Sequence, residues 1–105
     1  MDSDVKLATE KFLAYYEFFQ SVELAEKGKP LQEYQPTDPE RLMETFSNIF
    51  ASKLSGLDFI AFVLHHLVWR QCLGNANHRT SALFVQNFLA DVGIVFPHYA
   101  DEPDA

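Results

Sequence analysis

The stretch Leu57-Asp58-Phe59-Ile60-Ala61-Phe62-Val63-Leu64-His65-His66-Leu67-Val68-Trp69-Arg70 decides how this chain folds. Set at helical steps of about 100°, the apolar side chains Phe59, Ile60, Phe62, Val63, Leu64, Leu67, Val68 and Trp69 cover most of the circumference. A helix that is apolar all round is an interior element. The run is therefore expected as the central, buried helix of a bundle. It falls well short of the ~20 apolar residues that cross a bilayer.

Working outward, residues 4 to 27 place Val5, Ala8, Phe12, Tyr15 or Tyr16, and Phe19 at steps of three and four, the spacing of an amphipathic helix. Gly28 and Pro30 end it, and residues 28 to 36 read as a polar connection. Thr37-Asp38-Pro39-Glu40 has the form of a capping box, with the Thr37 hydroxyl serving free amides and Glu40 reaching back. The helix it starts carries Leu42, Met43, Phe46, Ile49, Phe50 and Leu54 on one face before Ser55-Gly56 interrupts. Beyond the central run, Gly74, Asn75 and Asn77 favour a turn. A fourth helix follows from about His78, with Leu83, Phe84, Phe88 and Val92 inward and Gly93 as its left-handed stop. Ile94-Val95-Phe96 reads as a short packed segment. The chain thus divides into one helical domain, residues 1–98, and an acidic tail, residues 99–105, in an all-α fold with no hairpin signature and no repeat.

A length of 105 residues leaves room for one compact domain, and 48% hydrophobic residues give it enough apolar side chain for a core. The formal charge of −7 excludes a broad basic face, and with it nucleic acid or an anionic membrane as partner. A lone cysteine, Cys72, excludes a disulfide framework and fits a reducing compartment. Met1-Asp2-Ser3-Asp4 has none of the basic and apolar character of a secretory signal, so a cytoplasmic protein is expected.

The net charge hides an uneven distribution. From Phe59 to Ala90 there is no Asp or Glu, and Arg70 and Arg79 flank one loop, Gly74-Asn75-Ala76-Asn77-His78-Arg79-Thr80. The first amides of the helix that begins there lack intrahelical acceptors and lie at the positive end of its dipole, which suits an anion. Small Gly74 and Ala76 would admit a ligand to the backbone, and Arg79 would add a fork of donors for phosphate oxygens. The plain alternative is a helix-loop-helix corner with Asn77 as N-cap and Arg79 solvated.

The run Gln71-Cys72-Leu73-Gly74-Asn75-Ala76-Asn77-His78-Arg79-Thr80-Ser81 resembles the Fic/Doc signature, His-x-Phe-x-(Asp/Glu)-(Gly/Ala)-Asn-x-Arg-Thr, through Ala76, Asn77, Arg79 and Thr80. Including the apolar helix before it, the resemblance spans roughly residues 40 to 98. It implies an all-helical Fic/Doc-type bundle that binds ATP or another nucleoside triphosphate with Mg²⁺ and transfers phosphate or AMP to a protein hydroxyl. It further implies a toxin of a toxin-antitoxin pair, controlled by an antitoxin or an inhibitory helix from another chain. On this resemblance Gly74, Ala76, Asn77, His78, Arg79 and Thr80 hold the phosphates, Asn75 takes the metal position, and Gln71 stands where the family has its catalytic His. A carboxamide has no proton acceptor near neutral pH, so Gln71 impairs the expected activity. Asn75 likewise lacks the charge that Mg²⁺ prefers in a ligand.

Two alternatives accompany the transferase reading: a catalytically silent member of that fold that still binds nucleotide, and a helical protein-interaction module. His65 and His66 diverge by about 100° on their helix, so they do not share a metal; one is expected hydrogen-bonded in the core and the other at its edge. His98 reads as a surface residue. Phe18 and Tyr15 cannot both join Phe12 and Phe19 on one stripe, which predicts an exposed apolar strip on the first helix. Cys72 is expected as a small buried side chain.

Overall fold

The computed structural model describes residues 2–91, with side chains from 3 to 87. Four helices follow in order: α1 (Asp2–Lys27), α2 (Pro39–Ala51), α3 (Gly56–Arg70) and α4 (Asn77–Asp91). Among the described residues there is no strand. The expectations for Phe88, Val92, Gly93, Ile94-Val95-Phe96, His98 and the tail 99–105 lie outside the described residues or side chains.

Helix α1 buries Val5, Ala8, Thr9, Phe12 and Tyr16 along one stripe. The Thr9 hydroxyl satisfies itself inside that stripe by donating to the Val5 carbonyl at 2.8 Å. Gly28 stops α1 with a left-handed φ of 68°, a conformation that only glycine adopts without cost, and its N–H donates to the Leu24 carbonyl at 2.9 Å. The start of α2 differs from the capping-box reading by one residue. Asp38 is the N-cap, its carboxylate accepting from the Arg41 amide at 3.0 Å, and Pro39 follows in the first turn, where its missing N–H removes nothing. Thr37 is thereby released for another task. The buried face of α2 is Leu42, Thr45, Phe46 and Ile49, while Met43 and Leu54 are exposed.

Phe12 of α1, Phe46 of α2 and Phe84 of α4 meet at the centre, with ring centroids 5.9, 5.7 and 5.2 Å apart in edge-on or tilted pairs. Truncating such a buried ring to alanine costs about 3–5 kcal/mol. Tyr15 packs edge-on against Phe84 at 6.3 Å, so of the strip expected on α1 Phe18 is exposed and Tyr15 only half-buried. Among the described residues the helix backbones neighbour one another in a ring, α1 beside α2 and α4 and α3 beside α2 and α4, with the Phe46–Phe84 pair joining α2 to α4 across it.

That ring corrects the reading of α3. The expected central, buried helix is a flanking one: only Val63 and Leu67 are buried on it, Leu57 is 81% exposed and Trp69 66% exposed. The aromatic centre is supplied by the other three helices, and among the described residues no helix covers the outward apolar side of α3.

Candidate functional site

The turn from α3 into α4 carries the motif residues. Gln71 leaves α3 in the left-handed region, φ 47° and ψ 58°, and Ala76 enters α4 with φ 55°. Such conformations cost a non-glycine residue roughly 1–2 kcal/mol, so the turn must be held from outside. The holder is the segment 31–38, which connects α1 to α2 and lies across the turn as a strap.

Leu31 anchors the strap in the core. From there the Tyr34 amide donates to the Gly74 carbonyl at 2.9 Å and the Asp38 amide to the Cys72 carbonyl at 2.8 Å. The Gln35 carboxamide donates to the carbonyls of Gln71 at 2.6 Å and Leu73 at 2.8 Å. Thr37 accepts from the Gly74 amide at 3.0 Å and donates to Glu33 at 3.0 Å. Glu33 accepts in addition from the buried Tyr16 hydroxyl at 2.7 Å. Burial first, and then the Glu33 carboxylate, push the Tyr16 hydroxyl up to about 12. Gly74 is required by this arrangement: a Cβ there would lie 2.7 Å from the Gln35 carbonyl oxygen and against Glu33.

The predicted site residues divide into two groups. Gln71, Gly74, Asn75, Ala76, Asn77, His78 and Arg79 come together, with Tyr34 and Gln35, around an open cleft of about 380 Å³. Thr80 does not line it; it is fully buried, with a hydroxyl that finds no partner. The carboxamides are already occupied. Asn77 accepts from the Leu73 amide at 3.0 Å and donates back to the Leu73 carbonyl at 3.1 Å, so it ties the turn to itself rather than capping α4. Asn75 accepts from the Ala76 amide at 2.6 Å and donates to the Gln32 carbonyl at 2.7 Å. Its oxygen keeps one lone pair beyond that bond, and among the described residues no three of His, Cys, Asp or Glu gather to hold a metal.

What remains available in the cleft is the exposed Gln71 side chain, His78, and Arg79, whose guanidinium carbon lies 5.4 Å from the Phe19 ring centroid on α1. Arg70 is drawn away, its guanidinium donating to Glu44 at 2.8 Å. Cys72 is buried as expected, 3.6 Å from the Thr45 hydroxyl, and burial pushes its thiol up, away from the reactive thiolate.

A second feature lies on the outward side of α3. Leu57, Ala61 and Leu64 are exposed and Val68 is half-buried, at successive steps of four, three and four, with Leu54 at one end and Trp69 beside the other. His65 is exposed at the edge. His66 is half-buried between the rings of Phe62 and Trp69, centroids 5.1 and 6.3 Å away, and in place of the expected core hydrogen bond its Nε2 has no partner. Burial, then the charges of Arg70 and His65, hold it below the usual histidine value. The signal for this strip was present in the sequence as a four-three-four spacing, hidden among the apolar residues around it. The strap had no comparable signal beyond the polar character of residues 28 to 36.

Fold and site define an all-α protein with, among the described residues, four helices, a strapped turn between α3 and α4 and an exposed apolar strip on α3. The chain matches the family of unknown function DUF8172 over residues 1–101 and belongs to that family. No curated protein and no solved structure matches it.

Proposed function

We propose that this protein is a helical docking module that receives an amphipathic helix along the outward face of α3. The observation that carries the reading is the strip formed by exposed Leu57, Ala61 and Leu64 and half-buried Val68 in an otherwise acidic protein. Full burial of a leucine side chain is worth about 1.5–3 kcal/mol, and contiguous apolar surface of this kind marks interaction sites. The spacing matches a coiled-coil seam, which favours a helix as the occupant. A photo-crosslinking phenylalanine analogue in place of Leu57, irradiated in living cells, is expected to give a discrete cross-linked species. The same analogue in place of Glu10, on the charged side of α1, is expected to give none. Equal, diffuse labelling from both positions would sink the reading.

A second reading rests on the cleft. The His78 and Arg79 amides at the start of α4 and the Arg79 guanidinium favour a phosphate-bearing ligand. ATP and transfer of phosphate or AMP to a protein hydroxyl follow from the Fic/Doc resemblance, which rests on the motif residues alone. Gln71 offers no general base, worth ~10²- to 10⁴-fold in rate, so the supported part is binding. Calorimetric titration of ATP with Mg²⁺ is expected to give heat that Arg79→Ala diminishes. No heat from the wild type at millimolar ligand would remove this reading, and labelled transfer by the wild type would restore the enzyme.

A further inference from the structure

We propose that the helix received by α3 is the α3 of a second copy of this chain, the two running antiparallel about a twofold axis between Ala61 and Leu64. The inference rests on the docking reading and names its occupant.

The register follows from the strip itself. Leu57, Ala61, Leu64 and Val68 take alternate seam positions, and turning the strip end for end lays Leu57 against Val68 and Ala61 against Leu64, then the same two layers again by symmetry. The inner layers pair a small residue with a large one, so the two strips are complementary in shape. The flank is complementary in charge. Asp58 and His65 lie on the same edge of the seam, one helical repeat apart, and the antiparallel arrangement sets each Asp58 carboxylate opposite the His65 of the second copy. An imidazole N–H can donate to that carboxylate. Beyond the seam, Trp69 of one copy is brought towards Leu54 of the other; both are exposed in the single chain.

The distribution of acids points to the same face. A chain of charge −7 repels its own copies, and Asp58 is the one acid on α3. Of the other exposed large apolar residues, Leu7, Phe18 and Leu24 on α1 stand among Glu10, Glu17, Glu23 and Glu26, Met43 on α2 lies between Glu40 and Glu44, and Tyr34 follows Glu33, so two copies meeting there would bring like charges together. Self-association is therefore directed to α3. The seam is three to four turns long, which sets the dimer at the weak, micromolar end of specific interfaces.

The test is sedimentation velocity on the full chain from low-micromolar to submillimolar concentration, with Trp69, the single tryptophan, read by fluorescence in parallel. A reversible monomer–dimer equilibrium is expected, with Trp69 emission shifting to the blue as the dimer forms. Leu64→Glu is expected to leave a monomer with wild-type circular dichroism and melting temperature. Asp58→Lys and His65→Glu are each expected to weaken the dimer at least threefold, and the double variant to recover it, which random apolar stickiness would not do. A chain monomeric throughout, a dimer indifferent to Leu64→Glu, or a double variant that fails to recover would overturn the pairing. So would a Leu64→Glu monomer of markedly lower melting temperature, because the face would then be covered within its own chain. A monomeric wild type that cross-links from position 57 to a different protein would overturn the self-pairing while leaving the docking module in place; monomer with no discrete cross-link would remove both.

Discussion

Gln71 stands in a left-handed backbone at the end of α3, the place where glycine is ordinarily found. Replacing it by glycine relieves about 1–2 kcal/mol of backbone strain and gives part of this back as freedom of the unfolded chain. Gln71→Gly is thus expected to stabilise the fold by about 0.5–1 kcal/mol, read as a higher urea midpoint with unchanged slope. His66 is the second residue whose behaviour follows from its surroundings. Its folded value lies below the ordinary 6.5, so the unfolded chain takes up the proton first as pH falls. The stability linked to this ring is complete above 6.5 and is lost as acidification proceeds from 6.5 towards the lower folded value. His66→Phe keeps the stacking on Phe62 and removes the buried, unpartnered nitrogen. The gap in melting temperature between variant and wild type is expected to widen in the variant's favour from about pH 7.5 to about pH 5.5, and a constant gap would refute the assignment.

The elements differ in how far the chain announces them. The span of α1 and its stop at Gly28 were legible from three-four spacing and from one residue type. Asp38-Pro39 marked α2, although the cap is Asp38 rather than Thr37, since Thr37 is taken by Gly74 and Glu33. Helix α3 was legible as a helix but not as a surface one: all-round apolarity has the same periodicity whether the outer side is covered by the chain's own helices or left for another molecule. Of the candidate site residues all but Thr80 line one cleft. Their roles were not legible, because the strap that occupies the turn's backbone reaches it across 34 to 43 positions, beyond any local pattern. Gly74→Ala tests the strap at this scale. The added methyl meets the Gln35 carbonyl at 2.7 Å, and overpacking of this kind costs about 1–3 kcal/mol. The lower stability should be accompanied by faster amide exchange at Tyr34 and Asp38, the two strap amides that bond to the turn.

For the molecule as a whole, three helices share an aromatic centre and the fourth is bound to them along one side, within overall dimensions of 43 × 36 × 21 Å. The charge of −7 then acts against the apolar face of α3, since repulsion between copies is long-ranged while contact between seams is not. Raising sodium chloride to about 0.5 M shortens the screening length to a few ångströms. Dimerisation is expected to strengthen severalfold as the salt rises, in contrast to an interface built chiefly on ion pairs, which would weaken.

The bare α-carbon of Gly74 has a meaning beyond this one chain. Because the space a side chain would take at position 74 is filled by Glu33 and by the Gln35 backbone, the two segments cannot drift independently in evolution. A relative that carries a side chain at 74 should carry a shorter residue at 33 together with a strap backbone set further from the turn at 35, and one that keeps glycine is free to keep the long acid. Substitutions at these two positions, 41 apart in the chain, are thus tied, and their joint variation among family members would record the strap's contact in inheritance alone.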